Sequence, residues 1–529
     1  MRGGTRISAE PDTRAGVRIE TWEARSVVDF AWTASPRFQK LVREVRPLQA
    51  PSHASPDDDP VLLERRRIAG LLGIDENELK LPPVKVTLLL QPEHERQADR
   101  HFEAARVALG LFGLWLGPYP YDTLTIVDPA HGAERAGGME YPQLVTTGTN
   151  IANPAATQRP EGVIVHEIGH QWFMNVLASN EAEEAWLDEG LTTYFTAHAL
   201  DVAYGPAQES MRLLDIPLLV HPVFEFPGLG AGWPGWVGLP DWAAPPQLDI
   251  LRAWRDLPPL TALPTPRYRD DPVEPRRRSY LAREAWDVAT LPAWRFADRR
   301  SYGVNAYSRP ALFVATLRRT LRARLGAEDG ERAFVAGMRA YARTWRFRHP
   351  GGADFLAAFS EGAGFDARPL ARALLESTGT LDYAVESLET VRDPELAGWV
   401  LRDGEVVHVE PEENGAGADE APAERTAIVV RRRGEVVVPV QLAVTRDERP
   451  GADAVWEIVE WDGRERWKRF ELPGRVTMAR LHPHLEYPQD RSRRNDSLRR
   501  DPDRRPGLKW GVRFLLWLEN AALSYGRFL

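Results

Sequence analysis

The chain has 529 residues, of which 43% are hydrophobic and 27% charged, with a formal net charge of −9 and no cysteine. That length predicts two or three domains, and the composition is globular. The mildly acidic balance leaves no basic footprint for nucleic acid, and the lack of thiols excludes disulfides, thiolate catalysis and Cys-based zinc sites, so any metal must be held by His and carboxylates.

In chain order, the start MRGGTRISAEPDTRAG has no apolar h-region, so no secretory signal is read. A cytoplasmic location is the default expectation; a periplasmic or secreted one follows if the N-terminus is truncated. Alternation over 17–32 (VRIETWEARSVVDFAW) predicts one or two strands. Further on, the pattern predicts a strand over 84–90, a helix with a broad apolar face over 98–116 and a strand over 123–127. From Glu161 the spacing becomes helical, EGVIVHEIGHQWFMNVLA and then EAEEAWLDEGLTTYFTAHAL, with Ser179 and Asn180 between them as turn and cap. Residues 218–298 are rich in Pro, Gly and Trp and predict an ordered insertion or lid. Within it, GLGAGW at 228–233 is set aside as a nucleotide loop, because Pro234 follows where a helix should open.

A helical pattern resumes from Ala311 through Leu374, and beyond residue 385 short Val-rich runs separated by turns predict an all-β domain. The acidic loop 410–424 and the basic stretch RSRRNDSLRRDPDRR are expected to be solvated. The final segment, Trp510 to Leu529, is interrupted by Arg513, Glu519 and Arg527, which predicts an amphipathic helix and no membrane span.

The chemistry concentrates in the first helix of the pair. His166 and His170 are four residues apart, so one helical face carries both imidazoles with their Cβ atoms about 5 to 6 Å apart. Glu167 completes an H-E-x-x-H pattern, in which the Glu is a general base and not a ligand. A catalytic zinc site takes three protein ligands and keeps an open position. Glu189, in WLDEG and separated from His170 by eighteen residues, supplies the third donor from the second helix. The metzincin pattern fails, because Phe173 and Val176 stand where it needs Gly and His.

HEIGHQWF followed by WLDEG resembles the gluzincin metallopeptidases of the aminopeptidase N family, which includes leukotriene hydrolase. Residues 137–141, GGMEY, resemble that family's G-x-M-E-N motif. The resemblance implies that Gly137, Gly138 and Met139 line the substrate and that Glu140 binds a peptide's free α-amino group; Tyr141 departs from the family's Asn. NAYSRPALF resembles the family segment in which a Tyr stabilises the tetrahedral intermediate. That implies Tyr307, with Tyr302 and Tyr280 as alternatives.

The resemblance implies an α+β fold: a thermolysin-like mixed sheet and helical catalytic domain, followed by a C-terminal β-sandwich-like domain. The expected divisions are 1–32, the remnant of a truncated N-terminal β domain; 33–384, catalytic; 385–490, β domain; and 491–529, a basic linker and terminal amphipathic helix. The expected function is that of a zinc metallopeptidase, with one Zn²⁺ per chain and peptide substrates, acting as an aminopeptidase. The rival readings are a catalytically impaired binding or scaffold protein and an endopeptidase with the same zinc chemistry.

Overall fold

The computed structural model describes residues 5–11, 18–52, 54–130, 132–133, 136–148, 158–205, 212–213, 216–217, 273–391, 398–402, 404–409, 424–448, 450, 454–502, 508, 511 and 515. The chain divides into two units after Thr378. It opens with an antiparallel hairpin of β1 (Thr5–Pro11) and β2 (Arg18–Glu23). Only β2 falls where alternation predicts strands; residues 24–32 form none.

The first unit is built on a four-stranded mixed sheet. β3 (Gln39–Val45) runs antiparallel to β4 (Val84–Leu90), which is parallel to β5 (Thr123–Val127), itself parallel to β6 (Leu144–Thr146). In β4, VKVTLLL, all but Lys85 are buried. Both faces of that strand are therefore covered, as a near-continuous apolar run requires. Parallel strands need a crossover, and α2 (Ala98–Leu116) supplies the one between β4 and β5. Ahead of it, α1 (Pro60–Leu72) starts where the Asp59 carboxylate accepts from the Val61 and Leu62 amides, and stops at Gly73 in a left-handed conformation.

The helical core packs on α2. α3 (Arg159–His170) lies against it, and α5 (Leu191–Tyr204) lies against both. Phe112, Trp115, Trp172, Phe173 and Phe195 interlock between these helices. Such aromatic pairs add about 0.5–1.5 kcal/mol each beyond area burial. Gly169 permits the close approach: a Cβ there would stand 2.7 Å from the Phe112 ring and 3.0 Å from Thr192.

Of the Pro- and Trp-rich segment, residues 218–272 lie outside the described residues. Its remainder contains α6 (Glu274–Leu281) and a 3₁₀ turn, Ala293–Arg295. A short α7 (Arg299–Tyr302) precedes the predicted helical stretch, which appears as α8 (Arg309–Leu325), α9 (Ala327–Trp345), α10 (Gly352–Ala363) and α11 (Arg368–Leu374).

The second unit carries two sheets and a hairpin. β7 (Tyr383–Val391), β10 (Arg425–Arg432) and β13 (Trp467–Pro473) form one sheet, with β10 central. β8 (Gly398–Arg402) and β9 (Glu405–Val409) form the hairpin. The other sheet has the order β12 (Glu457–Trp461), β11 (Val440–Thr445), β14 (Met478–Leu481), β15 (Ser497–Arg499). β7 lies against β14 and β15 of this second sheet. Residues 497–499, inside the basic stretch expected to be a linker, pair with β14. Charge density had concealed a short edge strand whose backbone, not its side chains, makes the contact. Residues beyond 502, apart from 508, 511 and 515, lie outside the described residues, so the expected terminal helix has no structural counterpart to compare.

A buried ion cluster ties α9 to α8 and α1. The Glu331 carboxylate, 8% exposed, meets Arg318 at 2.7 Å, Arg322 at 2.9 Å and Arg67 at 3.4 Å. Burial pushes the Glu331 pKa up, but Arg318, Arg322 and Arg67 outweigh it and hold it below the usual value. A depressed carboxylate stabilises the fold above its unfolded pKa of about 4.3, and that contribution vanishes as pH falls through the folded value. Glu331→Gln should cost about 3 kcal/mol at pH 7. In urea denaturation the gap from the unsubstituted chain should close on acidification to pH 3; a gap independent of pH would refute the electrostatic reading.

Candidate active site

Three wide π-helical turns surround one cleft. One, Gln171–Val176, follows directly on α3; a second, Trp186–Gly190, lies between α4 (Glu181–Ala185) and α5; the third, Gly303–Ser308, joins α7 to α8. A π turn inserts a residue into the helical ladder and re-aims side chains, and such turns concentrate at functional positions. Here they put Asp188, Glu189 and Tyr307 beside the histidines of α3. Asn180 does precede α4, as expected of a cap, although its side chain makes no capping hydrogen bond.

His166 Nε2, His170 Nε2 and Glu189 Oε2 form a triangle with sides of 3.1, 3.3 and 3.4 Å. Three ligand atoms each about 2.0 Å from one tetrahedral centre would stand about 3.3 Å apart. Glu189 Oε2 is buried with no hydrogen-bond partner. Three donor atoms this close together in a buried cleft are stabilised when a cation lies between them. His, His and carboxylate are also a donor set that zinc accepts, so the residues present fit that ion.

The surroundings fix these groups. His170 Nδ1 lies 2.6 Å from Asp188 Oδ1, deep in the protein, and faces Thr192 Oγ1 at 3.3 Å. With the ring's Nδ1–H donated to Asp188, its Nε2 points at the triangle. His166 Nδ1 faces Thr196 Oγ1 at 3.3 Å. Burial disfavours a charged His170, but Asp188 and Glu189 prevail and raise its pKa well above the usual value. Burial, aided by the charges of His170 and Arg276 and opposed by Glu189, pushes His166 down to about 4. Glu189 resists its own burial because both imidazoles hold it ionised.

Glu167 points into the same cleft. Its carboxylate, Glu140 and His170 each bring an atom within 4.8 Å of the others. Burial, with Glu140 and Glu189 adding to it and His170 opposing, raises the Glu167 pKa to about 8, and its buried Oε2 has no hydrogen-bond partner. Gly138, at φ 75°, brings its backbone close enough that a Cβ would sit 3.6 Å from Glu167 Oε1. Glu140 is positioned through its main chain: Asn175 Nδ2 donates to its carbonyl at 3.0 Å and Gln171 Nε2 at 3.2 Å. The Gly138 amide donates to the Thr146 carbonyl, and the Thr146 amide to the Met139 carbonyl, which sews the segment antiparallel to β6. Gly137 precedes this ladder, and Met139 is exposed. Tyr141, the departure from the motif, packs against Leu89, Val127 and Leu144.

Of the three tyrosines, Tyr307 donates its hydroxyl to Glu189 Oε1 and stacks on His166. Burial first, and then Glu189, raise its pKa far above the usual phenol value, so it remains a donor. Tyr302 donates to Glu181 at 3.1 Å and packs edge-on to Tyr307. Tyr280 is buried and packs beneath the Arg309 guanidinium.

Residues 111–218 match the peptidase family M1 domain. Glu140, His166, Glu167, His170 and Glu189 lie inside this M1-like stretch, and Tyr307 lies outside it. Aminopeptidase 2 of Candida albicans is 31% identical over 145 residues, 26% of this chain and 15% of that protein. Glutamyl aminopeptidase of Bos taurus is 30% identical over 138 residues, 24% of this chain and 14% of that protein. The matched stretches thus span about 15% of these relatives. Among solved structures, aminopeptidase A of Legionella pneumophila in complex with aspartic acid aligns with a TM-score of 0.49 and 12% identity, over 93% of this chain and 42% of that one.

Sequence reasoning missed four contributors: Asp188, Gln171, Asn175 and Arg276, whose guanidinium acts on His166, Glu189 and Tyr307 from α6. The first three were open to detection. Asp188 is an acid next to the third donor, and Gln171 and Asn175 repeat the four-residue spacing of the histidines one position on. Gly190 is a tight joint: a Cβ there would lie 2.3 Å from the Pro310 ring and 3.1 Å from the Ala306 carbonyl. Gly190→Ala should therefore destabilise the first unit by about 1–3 kcal/mol, and calorimetry should register a lower Tm. An unchanged Tm would mean that the turn carrying Glu189 is not packed this closely on the turn carrying Tyr307.

Proposed function

We propose that this chain is a zinc-dependent metallopeptidase that releases N-terminal residues from peptides. What carries the reading is the triangle of His166, His170 and Glu189 donor atoms, with Glu167 and Glu140 in the same cleft. The M1 match supports it, since that family is generally zinc-dependent. His166, His170 and Glu189 would hold one zinc ion, whose Lewis acidity would polarise the scissile carbonyl and acidify the attacking water.

The chain's own groups do the rest. Glu167 takes the water proton and delivers it to the leaving amine, and its raised pKa suits a group that must both accept and release a proton near neutrality. Tyr307 donates its hydroxyl to the oxygen on which negative charge develops. Asp188 is a positioning residue that fixes the tautomer and tilt of His170. Glu140 pairs with the substrate ammonium, which sets the register at the first peptide bond. Tyr141 faces a core cluster and leaves the placement of Glu140 to Gln171 and Asn175.

Glu167→Gln should lower kcat on aminoacyl substrates by about 10²–10⁴-fold while the zinc content stays that of the unsubstituted chain. His166→Ala should lose about one zinc equivalent together with activity; loss of activity with the zinc count unchanged would remove His166 from the ligand set. Asp188→Asn should weaken zinc binding about 10–100-fold, read by competition with a chromogenic chelator. Comparing a peptide with its N-acetylated form tests Glu140: equal rates would favour the endopeptidase reading.

A further inference from the structure

The second unit contains a buried cluster that the peptidase chemistry does not use. His482 follows β14 with its backbone at φ 49°, and the chain then loops through residues 483–496 and returns as β15. The Leu481 amide donates to the Asp496 carbonyl at 2.7 Å, which closes the loop at its base. Inside it, ligand atoms of His482, Asp490 and Asp496 all lie within 4.8 Å of one another, and all three residues are buried.

His482 makes the cluster more than a group of acids. Its side chain is 2% exposed, yet neither ring nitrogen has a hydrogen-bond partner. Nε2 points at Asp490 Oδ2 from 3.6 Å, beyond hydrogen-bond length. Tyr383 and Tyr487 meet the ring edge-on at 6.0 and 5.1 Å and hold its orientation. The carboxylate it faces is also fixed, because Asp490 accepts from the Tyr383 amide at 3.1 Å and the Ser492 amide at 2.9 Å. Glu486, with a buried Oε1 that has no hydrogen-bond partner, adds charge that acts on the same imidazole. An imidazole held just too far from a carboxylate for a hydrogen bond, with both its nitrogens unsatisfied in the interior, costs stability unless something bridges them.

We infer that His482, Asp490 and Asp496 form a second divalent-cation site, in the C-terminal β unit and independent of the proposed peptidase site. One imidazole and two carboxylates suit a first-row ion such as Zn²⁺ or Mn²⁺ better than Ca²⁺, which prefers an all-oxygen shell. A divalent ion would bridge the gap between His482 and Asp490. The site joins β14 to β15 and to the start of β7, which gives it a structural role: the ion would fasten the returning loop to both sheets.

The test uses the full chain with His166→Ala and His170→Ala together, which removes the peptidase ligands and leaves the second unit unaltered. After chelation, reloading with Zn²⁺, Mn²⁺ or Ca²⁺ in separate arms and gel filtration, metal content is read by mass spectrometry. About one equivalent of Zn²⁺ should remain, and it should vanish when His482→Gln or Asp496→Asn is added. In the otherwise unsubstituted enzyme, His482→Gln should remove one zinc equivalent and preserve peptidase turnover. Zero equivalents in the His166→Ala, His170→Ala chain would overturn the inference, as would one equivalent that survives His482→Gln. Should the His482 variant fail to fold, X-ray absorption on the zinc-loaded His166→Ala, His170→Ala chain decides: one nitrogen among oxygen ligands supports the site, and an all-oxygen shell overturns it.

Discussion

The structure of the first unit is organised around a convergence of donor atoms. Two imidazole nitrogens and a carboxylate oxygen are driven to within 3.1–3.4 Å of one another in a buried cleft. The helix geometry of α3 brings the two nitrogens together without further help, since residues four apart share a face. Glu189 is different, because it must be carried there against its own desolvation. The surrounding packing imposes that cost: Gly169 lets α3 press on Phe112, and Gly190 lets the Glu189 turn press on Pro310. A cation at the point of convergence would stabilise all three donors together.

The three π turns explain how a helical scaffold can aim so many groups inward. A regular α-helix presents side chains at fixed 100° steps, so Asp188 and Glu189 could not both address the His170 imidazole from an unbroken helix. In the Trp186–Gly190 turn, Asp188 reaches Nδ1 while Glu189 reaches Nε2 of the same ring. The Gly303–Ser308 turn does the same for Tyr307, bringing its hydroxyl to the free side of Glu189. These irregularities are invisible to a reading based on 3.6-residue periodicity.

Charge partition within the cleft follows from burial and neighbours together. Asp188 raises the His170 pKa, burial lowers that of His166, and burial keeps Glu167 less acidic than an ordinary glutamate. Titratable groups pushed apart in this way are the condition for distinct acid, base and ligand roles among chemically similar residues. Glu140 shares the same cleft, and burial raises its pKa above the usual carboxylate value.

Much of this was legible in the sequence because it depends on local periodicity. The strands over 84–90 and 123–127 and the helix over 98–116 follow from apolar spacing alone, and the structure has them at those bounds. The i, i+4 histidines and Glu167 carry their chemistry in five consecutive residues, whereas Glu189 required only a count along the chain. What periodicity could not reach depended on contacts distant in sequence. Asp188 differs from its acidic neighbours only through where the turn points it, Gln171 and Asn175 matter because β6 and the GGMEY segment lie beside them, and Arg276 acts from a segment whose composition suggested no regular element. The basic stretch at 497–499 became a strand through backbone pairing that charge cannot reveal, and His482, Asp490 and Asp496 are unremarkable until a loop folds them together. The sequence by itself determined which residues could act as ligands and base, because helix spacing is a local property. The tertiary structure alone decided which acids and which tyrosine meet them, because burial and direction come from packing between elements.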